Sequence, residues 1–293
     1  MDHPKALTMD QHLPLRGHSS SIVTHTLFWL GSLILVGLIG LCFIGPLIYH
    51  ASPYAIHLNW IGHGPSSSLP LGGDGLGRNE LARIMLGGQS LIAVGVASAL
   101  VATAIGTLIG LAGGFLGGAV DLILTWTTDV VLSIPQLVPL LLIDVLLRPS
   151  PTTMIFVVAV TLWPVVARLV RAEALRGREL EYVIAAQSLG ASDIRIAFRH
   201  ILPSQWSTIG VTSTAQVGSA VLVLATASFL GFGLPPPYPN WAEMIASSTA
   251  NMSAGYWWTM VFPGFALVLI QLSVNFIADA LRETLWVQKE VSS

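Results

Sequence analysis

Uninterrupted apolar runs, each long enough to cross a bilayer core of about 30 Å, recur along the whole chain. Runs of that length read as spanning helices, and their number makes this an all-α polytopic membrane protein. Composition agrees: 53% of residues are hydrophobic and only 10% charged, too few charges for the surface of a soluble domain. The two lysines, Lys5 and Lys289, both lie in the terminal tails. One cysteine, Cys42, sits inside an apolar run, which excludes an internal disulfide framework and reads as a small buried hydrophobe. The arginines sit beside acids with no aromatic interleaving, so nucleic acid is not an expected partner.

Six spans are expected. Residues 1–26 form a polar tail and 27–49 the first span, which is too long for a signal-peptide core and lacks a cleavage site. Trp29 and Tyr49 fall near its two interfaces. Residues 50–87 form an external segment rich in Pro, Gly and Ser. The core, 88–283, holds spans at about 90–115, 122–147, 153–170, 208–232 and 259–279, with a polar loop at 172–207, and 284–293 is a second tail. In the second span Gly106, Gly110 and Gly114 lie four apart, a bare face suited to close helix contact. Gly117-Gly118 makes a turn, and Pro135 should kink the third span. Trp241, Trp257 and Trp258 suit an interfacial belt.

Polar groups inside spans are costly and mark either function or helix bridging. Asp129, Gln136, Asp144, Gln216, Gln271 and Asn275 are therefore candidates to line a path; the alternative is packing against or bridging to a neighbouring helix, except for Asp144, which could simply lie near water by the Arg148-Pro149 turn. Gly72, Gly73, Gly75 and Gly77 could suggest a phosphate-cradling loop, but no Lys-Ser/Thr follows them. His50, His57 and His63 make no compact ligand set and no thiol accompanies them, so no metal site is expected. With six spans, both termini share a side with the loops after spans two and four. Ten of the thirteen basic residues then lie on that side, among them Arg168, Arg171, Arg176, Arg178, Arg195, Arg199 and Arg282; only Arg78, Arg83 and Arg148 lie opposite. Positive residues favour the cytoplasm, so both tails and the 172–207 loop face inward.

Within that loop, Tyr182, Ala185, Ala186 and Leu189 fall on one face of a short helix. Gly190 supplies its stop, and Ser192 can cap a second helix in which Ile194, Ala197, Phe198 and Ile201 repeat the spacing. Arg195 and Arg199 share the opposite, wet face, and Pro203 ends the helix. Such a pair makes a rigid surface for another protein, with lipid-headgroup binding as the alternative for the arginines.

Ala185-Ala186, Gly190 and Leu202-Pro203 resemble the EAA loop of ABC-importer permeases. Glu181-Tyr182-Val183 and Arg199 to Pro203 resemble its dipeptide/oligopeptide/nickel branch, as do the segment Leu69 to Arg83, Ala167 to Ala172, Ser228 to Pro237 and Asn275 to Arg282. Gly73 stands where the family usually has Thr, Asn79 where it has Asp, and the acid usual before Ser228-Phe-Leu-Gly is missing. The resemblance implies a type I (MetI-like) permease fold in a bacterial inner membrane. It implies a coupling surface made by Glu181, Tyr182, Ala185, Ala186, Leu189, Gly190, Arg195, Arg199 and Pro203. Four partners are implied as well: a sister permease in a heterodimer, two ATPase subunits and an external substrate-binding protein. ATP and magnesium would bind those ATPases, so this chain binds no cofactor and is no enzyme. Peptide is the expected substrate, with nickel or a metal chelate as the alternative. A stand-alone secondary transporter lacks support, since no internal repeat of broken helices is visible.

Overall fold

Among the described residues every long element is a helix. The computed structural model describes the backbone of residues 19–147, 150–234 and 238–292, and for residues 19–23, 144, 145 and 285–292 the backbone alone. Lys5, Arg16, Arg148, Pro149 and the prolines at 235–237 lie outside the described residues. Helix α1 (Ser19–Ile39) continues through a π turn (Gly40–Ile44) and a final turn (Gly45–Ile48). The long helices α2 (Glu80–Leu116) and α5 (Pro151–Arg178) flank a bent pair, α3 (Gly118–Ser133) and α4 (Leu137–Leu146). Two short helices, α6 (Glu181–Ser188) and α7 (Asp193–Ile196), precede α8 (Trp206–Phe229), α9 (Trp241–Met252) and α10 (Trp258–Ser292). Among the described residues five helices are long and apolar enough to cross a membrane, and six spans result if the bent pair counts as one.

Helix ends follow capping chemistry rather than apolar density, which moves two expected boundaries. α2 starts at Glu80, ten residues before the expected span. Asn79 accepts a hydrogen bond from the Ala82 N–H (3.0 Å), satisfying a first-turn donor. The polar Glu80 and Arg83 are buried in its first turn. α5 starts where Ser150 accepts from the Thr153 N–H (3.1 Å), with Pro151 at its first position. It then runs past residue 170 to Arg178, so the first part of the 172–207 loop is still spanning helix, tipped by Arg176 and Arg178 as the helix dipole favours. The third span is not one kinked helix. Pro135 lacks an N–H and crowds the preceding turn, and the chain breaks between Ser133 and Leu137 with a bend of 84°.

The closest packing joins α2 to α5. A Cβ on Gly106 would lie 2.6 Å from Trp163 O and Val166 Cβ, one on Gly110 2.5 Å from Ala167 O, and one on Gly114 2.7 Å from Ala174 Cβ. The register rises together on both helices, so α2 and α5 run parallel. The chain leaving α2 must therefore recross the layer before α5 begins, and the α3–α4 pair is that crossing. Around this seam α8 packs with Val221 on Gly95, and α10 with Gln271 and Val274 on Gly218. α1 lies at the edge, its Gly31 against the Ser273 carbonyl and its Thr24 hydroxyl bonded to Glu283. At the π turn, the Cys42 carbonyl accepts from Gln89 Nε2–H at 2.7 Å. These contacts set the start of α1, the Gly117-Gly118 turn, the 181–204 loop and Glu283 at one end. Ile48, Glu80, α9 and Trp258 lie at the other.

Replacing Gly110 with Val forces a side chain into the Ala167 carbonyl and should destabilise the protein by about 1–3 kcal/mol, the usual cost of overpacking. Gly210→Ala, where no atom lies within 4 Å, should raise stability by about 0.5–1 kcal/mol, since glycine disfavours a helix interior. Thermal unfolding in detergent compares the two.

Candidate functional site

The loop between α5 and α8 is clamped to the bundle by a few apolar side chains. Val183, Ile196, Ala197 and Ile201 are buried and form one cluster with Leu111 and Phe115 of α2, Val166, Val170 and Ala174 of α5, and Ile209 of α8. Full burial of each larger aliphatic contributes about 1.5–3 kcal/mol, enough to fix two short helices that would not persist alone. Gly190 takes φ +80°, a left-handed conformation that closes α6. Its N–H bonds to Gln187 O (2.9 Å) and that of Ala191 to Ala186 O (3.1 Å), satisfying the last carbonyls of α6. After Ser192, whose hydroxyl makes no capping bond, α7 passes into a π turn (Ala197–Ile201) and a last helical turn (Leu202–Ser204). Pro203 therefore sits inside the helical path instead of ending it. The widened π turn just before it is one of the few ways a helix absorbs a proline.

The outward face is apolar too. Tyr182, Ile184, Leu189, Ile194 and Phe198 are all exposed, Leu189 at 89%, with Arg195 and Arg199 exposed beside them. The spacing argument thus found a real stripe but not its direction. Tyr182, Ala185 and Leu189 point away from the bundle, Ala186 is half-buried, and the anchor is Val183. In α7, Ile194 and Phe198 face out while Ile196, Ala197 and Ile201 face in. Tyr182 and His200 face each other across the two helices with ring centroids 6.3 Å apart. Glu181 is exposed at the start of α6 and Pro203 is exposed near the loop's end.

Ion pairs line the spans next to this loop. Arg171 of α5 grips Asp121 of α3 through both carboxylate oxygens, Nη2–Oδ2 at 2.7 Å. Three residues earlier, Arg168 Nη2 reaches Asp129 Oδ1 at 2.7 Å, both side chains more than half exposed. A cleft of about 330 Å³ between α2, α3 and α5 includes Asp129, Arg168 and Arg171. A larger cavity of about 700 Å³ opens between α3, α5, α8 and α10, with Arg168, Glu173, Thr208, Thr212 and Arg282 on its walls. The other path candidates are scattered. Gln216 is buried and its Nε2 is 3.4 Å from the Leu162 carbonyl, bridging α8 to α5. Gln271 bonds Asn275 on the same helix (3.4 Å) beside Gly218. Gln136 is exposed in the α3–α4 break, and Asp144 lies on α4 with its side chain outside the described residues.

A family model described as the binding-protein-dependent transport system inner membrane component matches residues 102–286, from the seam of α2 through α10. The chain belongs to this family. A protein of Brucella ovis, provisionally named a peptide permease, is 36% identical over 255 residues, covering 83% of this chain and 84% of its own. A Brucella abortus protein, provisionally named a peptide transport system permease, is 33% identical over 264 residues, covering 90% and 88%. The dipeptide transport system permease protein DppC of Alkalihalophilus pseudofirmus is 31% identical over 272 residues, covering 93% and 89%.

In this permease the glycine loop, at the end of the bundle opposite the 181–204 loop, is a folded element. Gly72 and Gly77 take positive φ, and the Gly73 carbonyl accepts from Trp258 Nε1–H at 3.0 Å. Asp74 accepts from the N–H groups of Leu76 and Arg78 and pairs with Arg78 Nε (2.7 Å). Arg83 approaches Asp74 (3.6 Å) and Glu243 of α9 (3.4 Å). Asn79, where the family usually carries Asp, still caps α2 and gives its Nδ2–H to the Tyr49 hydroxyl (2.7 Å). Sequence reasoning missed these charges as a group, and missed the Arg168 and Arg171 pairings. The usable signal was that an aspartate in an apolar span needs a partner, and the nearest arginines to supply it were those ending span four. Arg171→Met strands Asp121 and should cost the permease about 1–3 kcal/mol. Asp121→Asn combined with Arg171→Gln should recover part of that loss, since two neutral amides can bond each other. Melting temperatures in lipid nanodiscs measure both.

Proposed function

We propose that this permease is the membrane subunit of an ATP-driven ABC importer for peptides, docking its ATPase partners on the exposed face of α6 and α7. One observation carries the reading. At one end of the bundle a rigid apolar surface (Tyr182, Ile184, Leu189, Ile194 and Phe198) faces away from the protein while its reverse is buried against α2, α5 and α8. An apolar patch flanked by Arg195 and Arg199 has the character of a protein interface. Force applied to it reaches three spanning helices through Val183, Ile196 and Ile201, which suits a hinge-type change of access.

The permease itself performs no covalent chemistry in this reading. ATP and magnesium sit on two ATPase subunits, a sister permease completes a heterodimeric path, and an external binding protein delivers the substrate. The 700 Å³ cavity beside α5 and α8, with Arg168 and Arg282 on its wall, is this subunit's share of the inner path. Asp129 contributes through its pair with Arg168, whereas Gln216 bridges α8 to α5 and Gln271 bonds Asn275 along α10. The excess of basic residues at the loop end supports a cytoplasmic placement of that end and of both termini, in a bacterial inner membrane. Peptide as substrate is supported by the names of the relatives, among them a dipeptide permease.

Leu189→Glu puts a charge at the most exposed apolar position of the surface without touching its anchors. Purified from native membranes in mild detergent, this variant should keep the wild-type melting temperature but lose co-purifying ATPase and its ATP hydrolysis. Retention of both would overturn the docking assignment. Val183→Asp, which buries an unpaired charge, should instead unfold the loop and lower the melting temperature.

A further inference from the structure

Between Arg16 and Asp74 the chain carries no Asp, Glu, Lys or Arg, although the first span ends at Ile48 and the stretch continues well past it. A surface that faces water is ordinarily rich in charged side chains. Within the uncharged stretch beyond the span, a single helical turn (Leu58–Trp60) stands out from the fold. Ile56, Leu58 and Ile61 are exposed, Leu58 at 78%, and Tyr54 is exposed beside them. So much apolar surface in one turn marks a contact with protein or with membrane.

The turn is held firmly in place. His57 N–H donates to Gly77 O (3.0 Å), and the His57 ring packs against Trp60 with centroids 4.0 Å apart. Gly77 lies against the His57 carbonyl and Gly73 against that of Trp60, each too close to admit a Cβ. Two tethers fix its height. The Tyr49 hydroxyl, just past the end of the first span, accepts from Asn79 Nδ2–H (2.7 Å), two residues from the Gly77 that holds His57. Two residues cover at most about 7 Å of chain. The turn is therefore kept close to the end of a spanning helix whose last residues, Leu47 and Ile48, are themselves exposed. On its other side the segment meets the start of α10, with Gly62 against Tyr256, Gly72 against Trp258, and Trp257 exposed next to them.

Charge separates the two kinds of contact. The exposed apolar face of α6 and α7 is flanked by Arg195 and Arg199, as a polar-rimmed protein interface requires. The 54–61 turn has no such rim, and the nearest charges along the chain, Asp74 and Arg78, bond each other at 2.7 Å. Uncharged apolar residues with Tyr and Trp among them, beside the ends of two spanning helices, match the interfacial zone of a bilayer. We propose that this turn is a membrane anchor, with Tyr54, Ile56, Leu58 and Ile61 seated at the boundary between lipid headgroups and acyl chains. The exposed polar groups of His57 and Asn59 keep it at that boundary and out of the hydrocarbon core. The anchor holds whichever side of the membrane this end faces, and it pins the glycine loop, and with it the start of α2, to the lipid surface.

The test places a bimane label on Leu58→Cys in a Cys42→Ala background, in the full chain with whatever subunits co-purify, in phosphatidylcholine nanodiscs. Quenching is compared for lipids with a nitroxide near the headgroup, lipids with a nitroxide near the chain end, and aqueous iodide. The expected result is a loss of fluorescence several-fold greater with the shallow nitroxide than with the deep one or with iodide, and the same order for Ile56→Cys and Ile61→Cys. If Cys42→Ala fails to fold, the native background serves, since Cys42 is fully buried and the unsubstituted protein reports any labelling there. Quenching by iodide alone would put the turn in water and overturn the anchor. Protection from all three quenchers would overturn it in favour of a covering protein, and stronger quenching by the deep nitroxide would overturn the interfacial position.

Discussion

Backbone-on-backbone contact between two parallel helices underlies the rest of the structure. Gly106, Gly110 and Gly114 let α2 approach α5 until carbonyl oxygens and Cβ atoms of α5 fill the space a side chain would occupy. In lipid, where helix association gains little from the hydrophobic effect, such close van der Waals contact is what holds helices together. Because the seam is parallel, the chain must return across the layer between its two halves, and α3 and α4 exist to make that return. The seam's end near the 181–204 loop does more than pack. Leu111, Phe115, Val166, Val170 and Ala174, which flank it, also receive Val183, Ile196 and Ile201 of the loop. The exposed apolar face of α6 and α7 is thus seated on the glycine seam.

How much of this was readable from the chain alone depends on the kind of signal. The apolar runs gave the spans, the glycine spacing gave the seam's face, and Gly190 gave the left-handed turn, each being a local property with a direct structural consequence. Boundaries failed where a cap outweighed hydropathy, as with Asn79 and Ser150. The facing of the loop helices failed for a different reason. Both sides of α6 and α7 are apolar, one buried against the bundle and the other exposed, and periodicity cannot rank two apolar stripes. Val183 and Ile184 are neighbours of similar chemistry, one fully buried and one exposed, and only the fold separates them. Pro203 shows a third limit: a proline announces a broken ladder but not whether the helix stops or, as here, widens and continues.

Charge is spent sparingly and in pairs. Asp121 with Arg171 and Asp129 with Arg168 tie α3 to α5 on the loop side, while Asp74, Arg78, Arg83 and Glu243 tie the glycine loop to α9 on the other. The layer between is bridged by uncharged groups, Gln89 to the Cys42 carbonyl and Gln216 to that of Leu162. This distribution follows the dielectric: ions stand where water can reach one side, and neutral amides serve where it cannot. Among the described residues Glu80 departs from the pattern, a buried acid whose Oε1 accepts no hydrogen bond.

The parallel seam also constrains how the protein is made. α2 leaves the ribosome with its glycine face bare, and α5, which covers that face at Gly106, Gly110 and Gly114, follows after the whole α3–α4 return has been threaded. Domains form in the order their contacts become available during synthesis, and contacts distant in sequence form late. The membrane therefore holds α2 as a helix with an unfilled groove until residues near Val166 and Val170 arrive. During that interval its partners are lipid chains, and the helix that later grips α5 must first let them go.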